Sequence, residues 1–193
     1  MVLRLVGSEM CIRDSEITER LESEGVIRVC VHGRTLKQRY SGIADWDSIN
    51  QIVNSVSIPV IANGDVTDAK SAESCLSVTG AAGLMIGRAA IGRPMIFHTI
   101  KKELGWTKEK PPWEFDDPII SRIWCWERYL TLCDEVYGEA GSKNSKRHAI
   151  SFTKGLPGAS AMRVSLHKAQ SHQQLGRMVS TYLRDLECSA MAH

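Results

Sequence analysis

The sequence of 193 residues lacks long hydrophobic segments and is poor in aromatic residues, which make up only 6%. No apolar run approaches the ~20 residues of a membrane-spanning helix. The N-terminus also lacks the basic, apolar and small-residue order of a signal peptide, so we expect a cytoplasmic protein without a membrane span. Its 43% hydrophobic and 24% charged content is that of a globular chain with a mostly aliphatic core. The net charge of +2 indicates no particular class of partner.

The sequence contains no C-x-x-C pair, and its cysteines are scattered along the chain. We therefore predict reduced thiols, mostly in the core, and no metal site. The six cysteines are Cys11, Cys30, Cys75, Cys125, Cys133 and Cys188.

The first residues differ from the rest. The segment LVGSEMCIRDS (residues 5–15) shows no helical or strand period, and its EMCIRDS portion matches a translated transposon-end sequencing adapter. We therefore expect residues 1–15 to be an assembly artefact, with natural sequence starting near Glu16 and a gene truncated upstream. The alternative is a genuine irregular N-terminus.

A strand–helix alternation runs through residues 16–106. Three short apolar strands are predicted at residues 26–31, 58–62 and 82–86. Helices follow, with Asp45 and Thr67 as N-caps and Pro94 in the first turn of the third. Strands this apolar are buried on both faces, and hence parallel and covered by helices. Such units fit a TIM barrel or a doubly wound sheet, and the missing G-x-G-x-x-G disfavours a Rossmann fold.

The composition changes at WTKEKPPWEFDDP, which is rich in proline and charge. We predict a linker at residues 107–117 and, because no strand pattern recurs, a small all-helical domain at residues 118–193. Its helices are predicted at residues 119–136, 146–153, 159–169 and 171–186.

Acidic residues are absent from position 142 to position 184, whereas eight basic residues occur there. The pattern is typical of a surface that binds a polyanion through phosphate contacts, and the alternative is an ordinary solvated basic face. The eight are Lys143, Lys146, Arg147, Lys154, Arg163, Lys168, Arg177 and Arg184.

The predicted strands end in glycine and polar residues. Asn63-Gly64-Asp65 follows the second strand and Gly87-Arg88 the third. If these are the last two strands of a barrel, they form its usual phosphate site. Glycine lets backbone N–H groups approach an anion, and arginine adds a charged contact. Alternatively, the first motif is a tight turn and the second an accidental pair.

His32 and Arg34 end the first predicted strand. The histidine can donate to an anionic ring or a carbonyl, or be a structural residue of the rim. Arg34 can pair with a substrate phosphate or with an acidic loop residue. The following loop, residues 37–40, is a plausible nucleotide contact or an ordinary exposed loop.

Four blocks together resemble bacterial tRNA-dihydrouridine synthases, and the B-type enzymes in particular. Three of them, in the family's order and spacing, are CVHGRTLKQRYSGIADWDSI (residues 30–49), VSIPVIANGDV (56–66) and GLMIGRAAIGRPMIF (83–97). The fourth, KRHAISFTKGLPGASAMR (146–163), is similar to the family's helical-domain block. The likeness covers about residues 16–183.

The resemblance implies the C-terminal part of an FMN-binding TIM barrel followed by a helical tRNA-binding domain. It implies a flavoenzyme in which NADPH reduces FMN, and the flavin reduces the C5=C6 bond of a uridine in tRNA. The matching cofactor positions are His32, Asn63, Gly64, Asp65, Gly87 and Arg88. The substrate and tRNA positions are Arg34, Lys146, Arg147, His148, Lys154 and Arg163.

The family's catalytic cysteine lies upstream, in an N-x-G-C-P-type loop that this sequence lacks. None of the six cysteines matches it, so no catalytic residue is assigned. We therefore expect the chain alone to be inactive and poorly stable, because its three βα units expose a sheet edge that earlier barrel strands should cover. Two alternatives stay open: a non-catalytic RNA-binding remnant, and another FMN-dependent barrel such as a dihydroorotate-dehydrogenase-like enzyme.

Overall fold

The computed structural model describes residues 2–7, 11–39, 41–138, 141 and 144–191. The chain divides into two compact units, one of residues 1–89 with 96–107, and the other of residues 90–95 with 108–193. We refer to them as the sheet unit and the helical unit. Within the described ranges, no helix is long and apolar enough to cross a membrane.

The sheet unit is a four-stranded parallel sheet with helices between the strands, in the order β1-β2-β3-β4. The α/β fold class predicted from the sequence is thus confirmed. The elements are β1 (Val2–Gly7), α1 (Cys11–Ser23), β2 (Arg28–Thr35), α2 (Trp46–Ser55), β3 (Val60–Asn63), α3 (Ala69–Thr79), β4 (Gly83–Met85) and α4 (Ile96–Glu103).

The N-terminal segment corrects one expectation. Residues 5–15 show no helical or strand period in the sequence, but β1, which ends at Gly7, pairs in parallel with β2, and α1 begins at Cys11. The apolar residues on either side of Arg4 suit a strand, and β2 supplies its hydrogen-bond partners. The adapter origin of residues 1–15 stays a prediction.

β2 and β3 are buried on both faces, as predicted for helix-covered parallel strands. Val29 and Cys30, on opposite faces of β2, are at most 5% exposed, and so are Ala62 and Asn63 on opposite faces of β3. Apolar side chains of α2 and α3 complete this core, among them Ile49, Ile52, Ala72 and Cys75.

In the part of the helical unit that the structure describes, there are four helices: α5 (Pro118–Tyr137), α6 (Ser145–Thr153), α7 (Ala159–Lys168) and α8 (His172–Met191). Its core centres on Trp126, which is 1% exposed. The Trp126 ring stacks on Tyr129 at a centroid distance of 5.3 Å and meets Phe152 edge-on at 5.0 Å. Its indole nitrogen donates to the Gly176 carbonyl of α8. One side chain thus joins α5, α6 and α8.

Each unit also contains buried thiols. Cys75 is fully buried in α3, and Cys125 is buried in α5. Burial raises the pKa of both thiols to about 11. Both are therefore protonated at neutral pH, as expected for core cysteines.

Candidate functional site at the carboxyl ends of the strands

The predicted site residues of the sheet unit meet at one edge, because the strands are parallel and end together. His32 pairs with Asn63 across β2 and β3, and Asn63 pairs with Met85 across β3 and β4. The His32 Nδ1 atom lies 3.0 Å from the Asn63 carbonyl oxygen, a distance at which an N–H there donates to that carbonyl. Of the partners considered for His32, the structure thus provides a carbonyl.

Asn63 ties the end of β3 to the end of β4. Its side chain is 5% exposed, and its Nδ2 donates to the Met85 carbonyl at 2.6 Å. This bond joins the two residues of the last pair between β3 and β4. Asn63 is therefore a buried residue that holds the ends of β3 and β4 together.

Gly64 and Asp65 form a turn that needs positive φ at both residues. Gly64 has φ of +136°, and a Cβ placed there would lie 2.6 Å from the Ala44 Cβ. Its carbonyl accepts from the Trp46 indole N–H. Asp65 has φ of +55°, a left-handed conformation that Asp tolerates better than most residues. The turn brings the Asp65 carboxylate over the end of β2.

The Asp65 carboxylate joins β2, the following loop and the turn after β3. Arg34 Nη2 donates to both carboxylate oxygens at 2.7 Å and to the Gly42 carbonyl at 2.7 Å. The Ala44 N–H also donates to Asp65 at 2.7 Å. Of the two partners considered for Arg34, a phosphate or an acidic loop residue, the structure shows the acidic residue Asp65. Arg34 itself is only 4% exposed. We call this set, Arg34, Gly42, Ala44 and Asp65, the carboxylate clamp.

The clamp also sets the ionisation of Asp65. Partial burial alone would raise the pKa of its carboxyl group. The hydrogen bonds from the Ala44 N–H and Arg34, with the positive charges of Arg34 and Arg88, outweigh burial and hold the pKa below its ordinary value. Asp65 is thus a stable anion at neutral pH.

Gly87 and Arg88 lie beyond β4 on the open side of this edge. A Cβ at Gly87 would meet nothing within 4 Å. The Arg88 side chain is 52% exposed, and its Nη2 lies 3.9 Å from the Asp65 Oδ1. Arg88 therefore presents a guanidinium to solvent beside the clamp. An anion reaching this edge would meet Arg88 before Arg34.

Comparisons with known proteins identify the family. The family model described as Dihydrouridine synthase (Dus) matches residues 3–187. The chain belongs to this family. The match includes residues 3–7 of β1 and the whole of α1, as well as the blocks quoted above.

Curated relatives carry the same description. A probable tRNA-dihydrouridine synthase of Rickettsia conorii is 40% identical, over 74% of this chain and 42% of that protein. Probable tRNA-dihydrouridine synthase 1 of Synechocystis is 32% identical, over 82% and 44%. tRNA-dihydrouridine synthase B of Proteus vulgaris is 36% identical, over 75% and 43%. The chain thus spans less than half the length of these relatives.

Among solved structures, a mandelate oxidase crystal structure shares 14% identity, with a TM-score of 0.35, over 95% of this chain and 56% of that one. A similarity at this level supports no statement about fold or cofactor.

The dihydrouridine-synthase likeness predicted tRNA contacts in the helical unit, and the structure separates them by environment. Arg147, Lys154 and Arg163 are exposed on α6, at its end and on α7. Lys146 is exposed, and its Nζ donates to the His167 carbonyl at 3.0 Å. His148 differs from these four, because it is half-buried with its ring 5.2 Å from that of Tyr129.

Other residues considered for nucleotide contact are only partly described. Lys37, Gln38 and Arg39 are exposed, with Gln38 accepting from the Thr35 N–H. Tyr40 and Lys143 lie outside the described residues. Within the described ranges, no group of three His, Cys, Asp or Glu side chains could hold a metal ion.

Proposed function

We propose that this chain is the C-terminal part of a flavin-dependent tRNA-dihydrouridine synthase, an enzyme that uses NADPH to reduce a uridine C5=C6 bond in tRNA. The sheet unit would be the last part of its TIM barrel, and the helical unit its tRNA-binding domain. The observation that carries this proposal is the meeting of His32, Asn63, the clamp and an exposed Arg88 at the strand ends of a family member.

The residues at this edge fit the phosphate end of FMN. Open space at Gly87 allows the backbone to approach phosphate oxygens, and Arg88 offers a charge-assisted contact. FMN, when bound, would supply hydride chemistry at its ring system. This chain would supply orientation, with His32 beside the ring and the Gly64 turn holding Asp65 in the clamp.

Asp65 fits a supporting role better than direct phosphate contact, because its carboxylate is an anion. Through the clamp it holds Arg34 and the loop before α2 in place. Its charge also attracts Arg88 from 3.9 Å. We therefore propose that Arg34 and Asp65 position the edge, while Arg88 contacts the phosphate.

The helical unit would hold tRNA through exposed basic side chains. Arg147, Lys154 and Arg163 are exposed within a stretch of sequence without any acid. Contacts of this kind position an RNA backbone without reading its sequence, and their strength falls as salt rises.

FMN binding by the chain tests the proposal. Titration followed by flavin fluorescence should show that Arg88→Ala weakens FMN binding about tenfold, the size expected for one charge-assisted hydrogen bond. Lys70→Ala, which removes an exposed cation from α3, is the matched control and should bind FMN normally.

Equal FMN affinities in the two variants would contradict the assignment of Arg88. A chain that binds tRNA but shows no FMN binding would favour the RNA-binding alternative. We also expect no dihydrouridine when the chain is incubated with FMN, NADPH and unmodified tRNA, as measured by mass spectrometry. Product formation would contradict the expected inactivity of the chain alone.

A further inference from the structure

A cavity of about 500 Å³ lies inside the helical unit, apart from the strand-end site. Ligand pockets for small molecules commonly measure about 300–1,000 Å³. Its walls are mainly aromatic and apolar, and all its lining residues belong to the helical unit, including the segment 90–95. The aromatic members are Trp113, Trp124, Tyr129, His148 and Phe152.

The aromatic rings form two groups. The Trp113 and Trp124 centroids are 5.5 Å apart, and Tyr129 lies 5.2 Å from His148 and 5.9 Å from Phe152. The second group is held in place by Tyr129, whose ring also stacks on the buried Trp126. A flat ligand would therefore meet preformed π faces and would not need to order them.

The wall is uncharged. Burial lowers the pKa of His148, and the neighbouring Arg147 lowers it further. Burial is also the main reason why the pKa of Tyr129 is raised. A neutral imidazole can donate one hydrogen bond and accept another, which suits the polar edge of a heterocycle.

The rim carries a positive charge. Arg128 lines the pocket and is exposed. Arg128 lies 3.7 Å from Glu135 in an exposed ion pair, which is worth little in water and leaves the guanidinium accessible. Flat apolar walls beneath a basic rim complement a nucleobase attached to its phosphate.

We propose that this pocket receives a single unstacked nucleobase of an RNA strand, held against its aromatic walls with the adjoining phosphate at Arg128. The proposal rests on the proposed function in that tRNA would supply the base. The pocket would add stacking energy to the phosphate contacts of the basic helices.

Filling the pocket at its rim tests this proposal without removing the core. Leu132 lines the cavity and is 43% exposed, so Leu132→Trp should occupy the entrance. Val136→Trp, one turn further along α5, is the matched control because Val136 is 68% exposed and does not line the cavity. Circular dichroism and thermal unfolding should be the same for both.

Leu132→Trp should weaken tRNA binding about tenfold, as expected for the loss of one base–aromatic stack, while Val136→Trp should bind normally. Leu132→Trp removes no charge, so the slope of log affinity against log salt should not change. Arg128→Ala should lower that slope by about one. Equal tRNA affinities of the two tryptophan variants would overturn the pocket while leaving tRNA binding intact.

Binding of mononucleotides tests the pocket independently of the proposed function. If the unmodified chain fails to bind tRNA, the proposed tRNA role fails, but AMP, GMP, CMP and UMP still test the pocket. Saturation transfer from protein to base protons, lost in Leu132→Trp and kept in Val136→Trp, would support a nucleobase site. No such transfer with any of the four, in a chain that does not bind tRNA, would overturn it.

Discussion

Asp65 is the residue on which the strand-end site depends most. Its carboxylate accepts hydrogen bonds from Arg34 at the end of β2 and from Ala44 in the loop before α2. Its side chain is 29% exposed, whereas that of Arg34 is 3% exposed. The buried guanidinium therefore relies on this one carboxylate for its charge compensation.

We expect Asp65→Asn to destabilise the sheet unit by about 3 kcal/mol, because it leaves Arg34 buried without its anion. Urea unfolding measures the change in the free energy of unfolding. Glu73→Gln, which neutralises an exposed acid on α3, is the control and should change it by less than about 0.5 kcal/mol. Similar values for the two variants would show that the clamp contributes little.

The unmodified chain and Asp65→Asn should also differ in how their stability changes at low pH. The pKa of Asp65 is lowered in the folded state, so the unfolded chain binds a proton more readily, and acid favours unfolding. The stability that Asp65 contributes is complete above its unfolded pKa of about 4 and is lost as pH falls through the folded pKa. Asp65→Asn should therefore show a shallower loss of stability below pH 5 than the unmodified chain.

At the scale of elements, side-chain caps determine where α2 and α3 begin. Asp45 caps α2 by accepting from the Ser48 N–H, and this cap also lowers the Asp45 pKa through Ser48. Asp68 caps α3 in a capping box with Ser71, and Gly80 ends that helix in the left-handed conformation. Each cap satisfies backbone groups that the helix itself leaves unpaired.

Asp68→Ala should lower the free energy of unfolding by about 1 kcal/mol, because the Ser71 N–H loses its acceptor. Asp68→Asn keeps an oxygen at the cap and should recover most of that loss. Chemical denaturation of both variants measures the difference. A full loss in Asp68→Asn would attribute the effect to charge at the helix terminus instead of the cap.

Most elements could be predicted from sequence because their signals are local. Asp45 acts as predicted, and the helices of the helical unit begin within one residue of their predicted starts. The predicted Thr67 cap is wrong, since Asp68 next to it reaches Ser71.

What the sequence could not provide was pairing between distant residues. The partner of Arg34 was left open between a phosphate and an acid, and Asp65 lies 31 residues away. β2 was predicted to stop at residue 31 but continues to Thr35, which pairs with Gly7 of β1. The aromatic pocket could not be predicted, because Trp124, Tyr129 and Leu132 lie in a predicted helix where apolar residues indicate only a buried face. The pocket arises only when α5 packs against α6.

At the scale of the whole molecule, each unit has its own hydrophobic core. Trp126 anchors the helical unit, and its aromatic partners and hydrogen bond all lie within that unit. Val29 and Ala62 anchor the sheet unit. Substitutions in the two cores share no partners, so their effects on stability should be independent.

Trp126→Ala should cost about 3–5 kcal/mol through cavity formation in the helical unit. Hydrogen exchange read by mass spectrometry should show reduced protection in peptides of α5, α6 and α8. Peptides of β2 and β3 should keep the protection of the unmodified chain, and Asp65→Asn should give the reverse pattern. Equal loss of protection in both units would mean that they unfold as one.

The reactivity of the buried thiols measures how often each unit opens locally. A protonated thiol without solvent access cannot react with an alkylating reagent, so Cys75 and Cys125 react only when their surroundings open. Cys75 belongs to the sheet unit and Cys125 to the helical unit, and both have a pKa near 11. Exposed Cys188 marks the rate of unhindered reaction. Alkylation kinetics, resolved by peptide, therefore measure the local opening of each unit separately, and no residue has to be substituted.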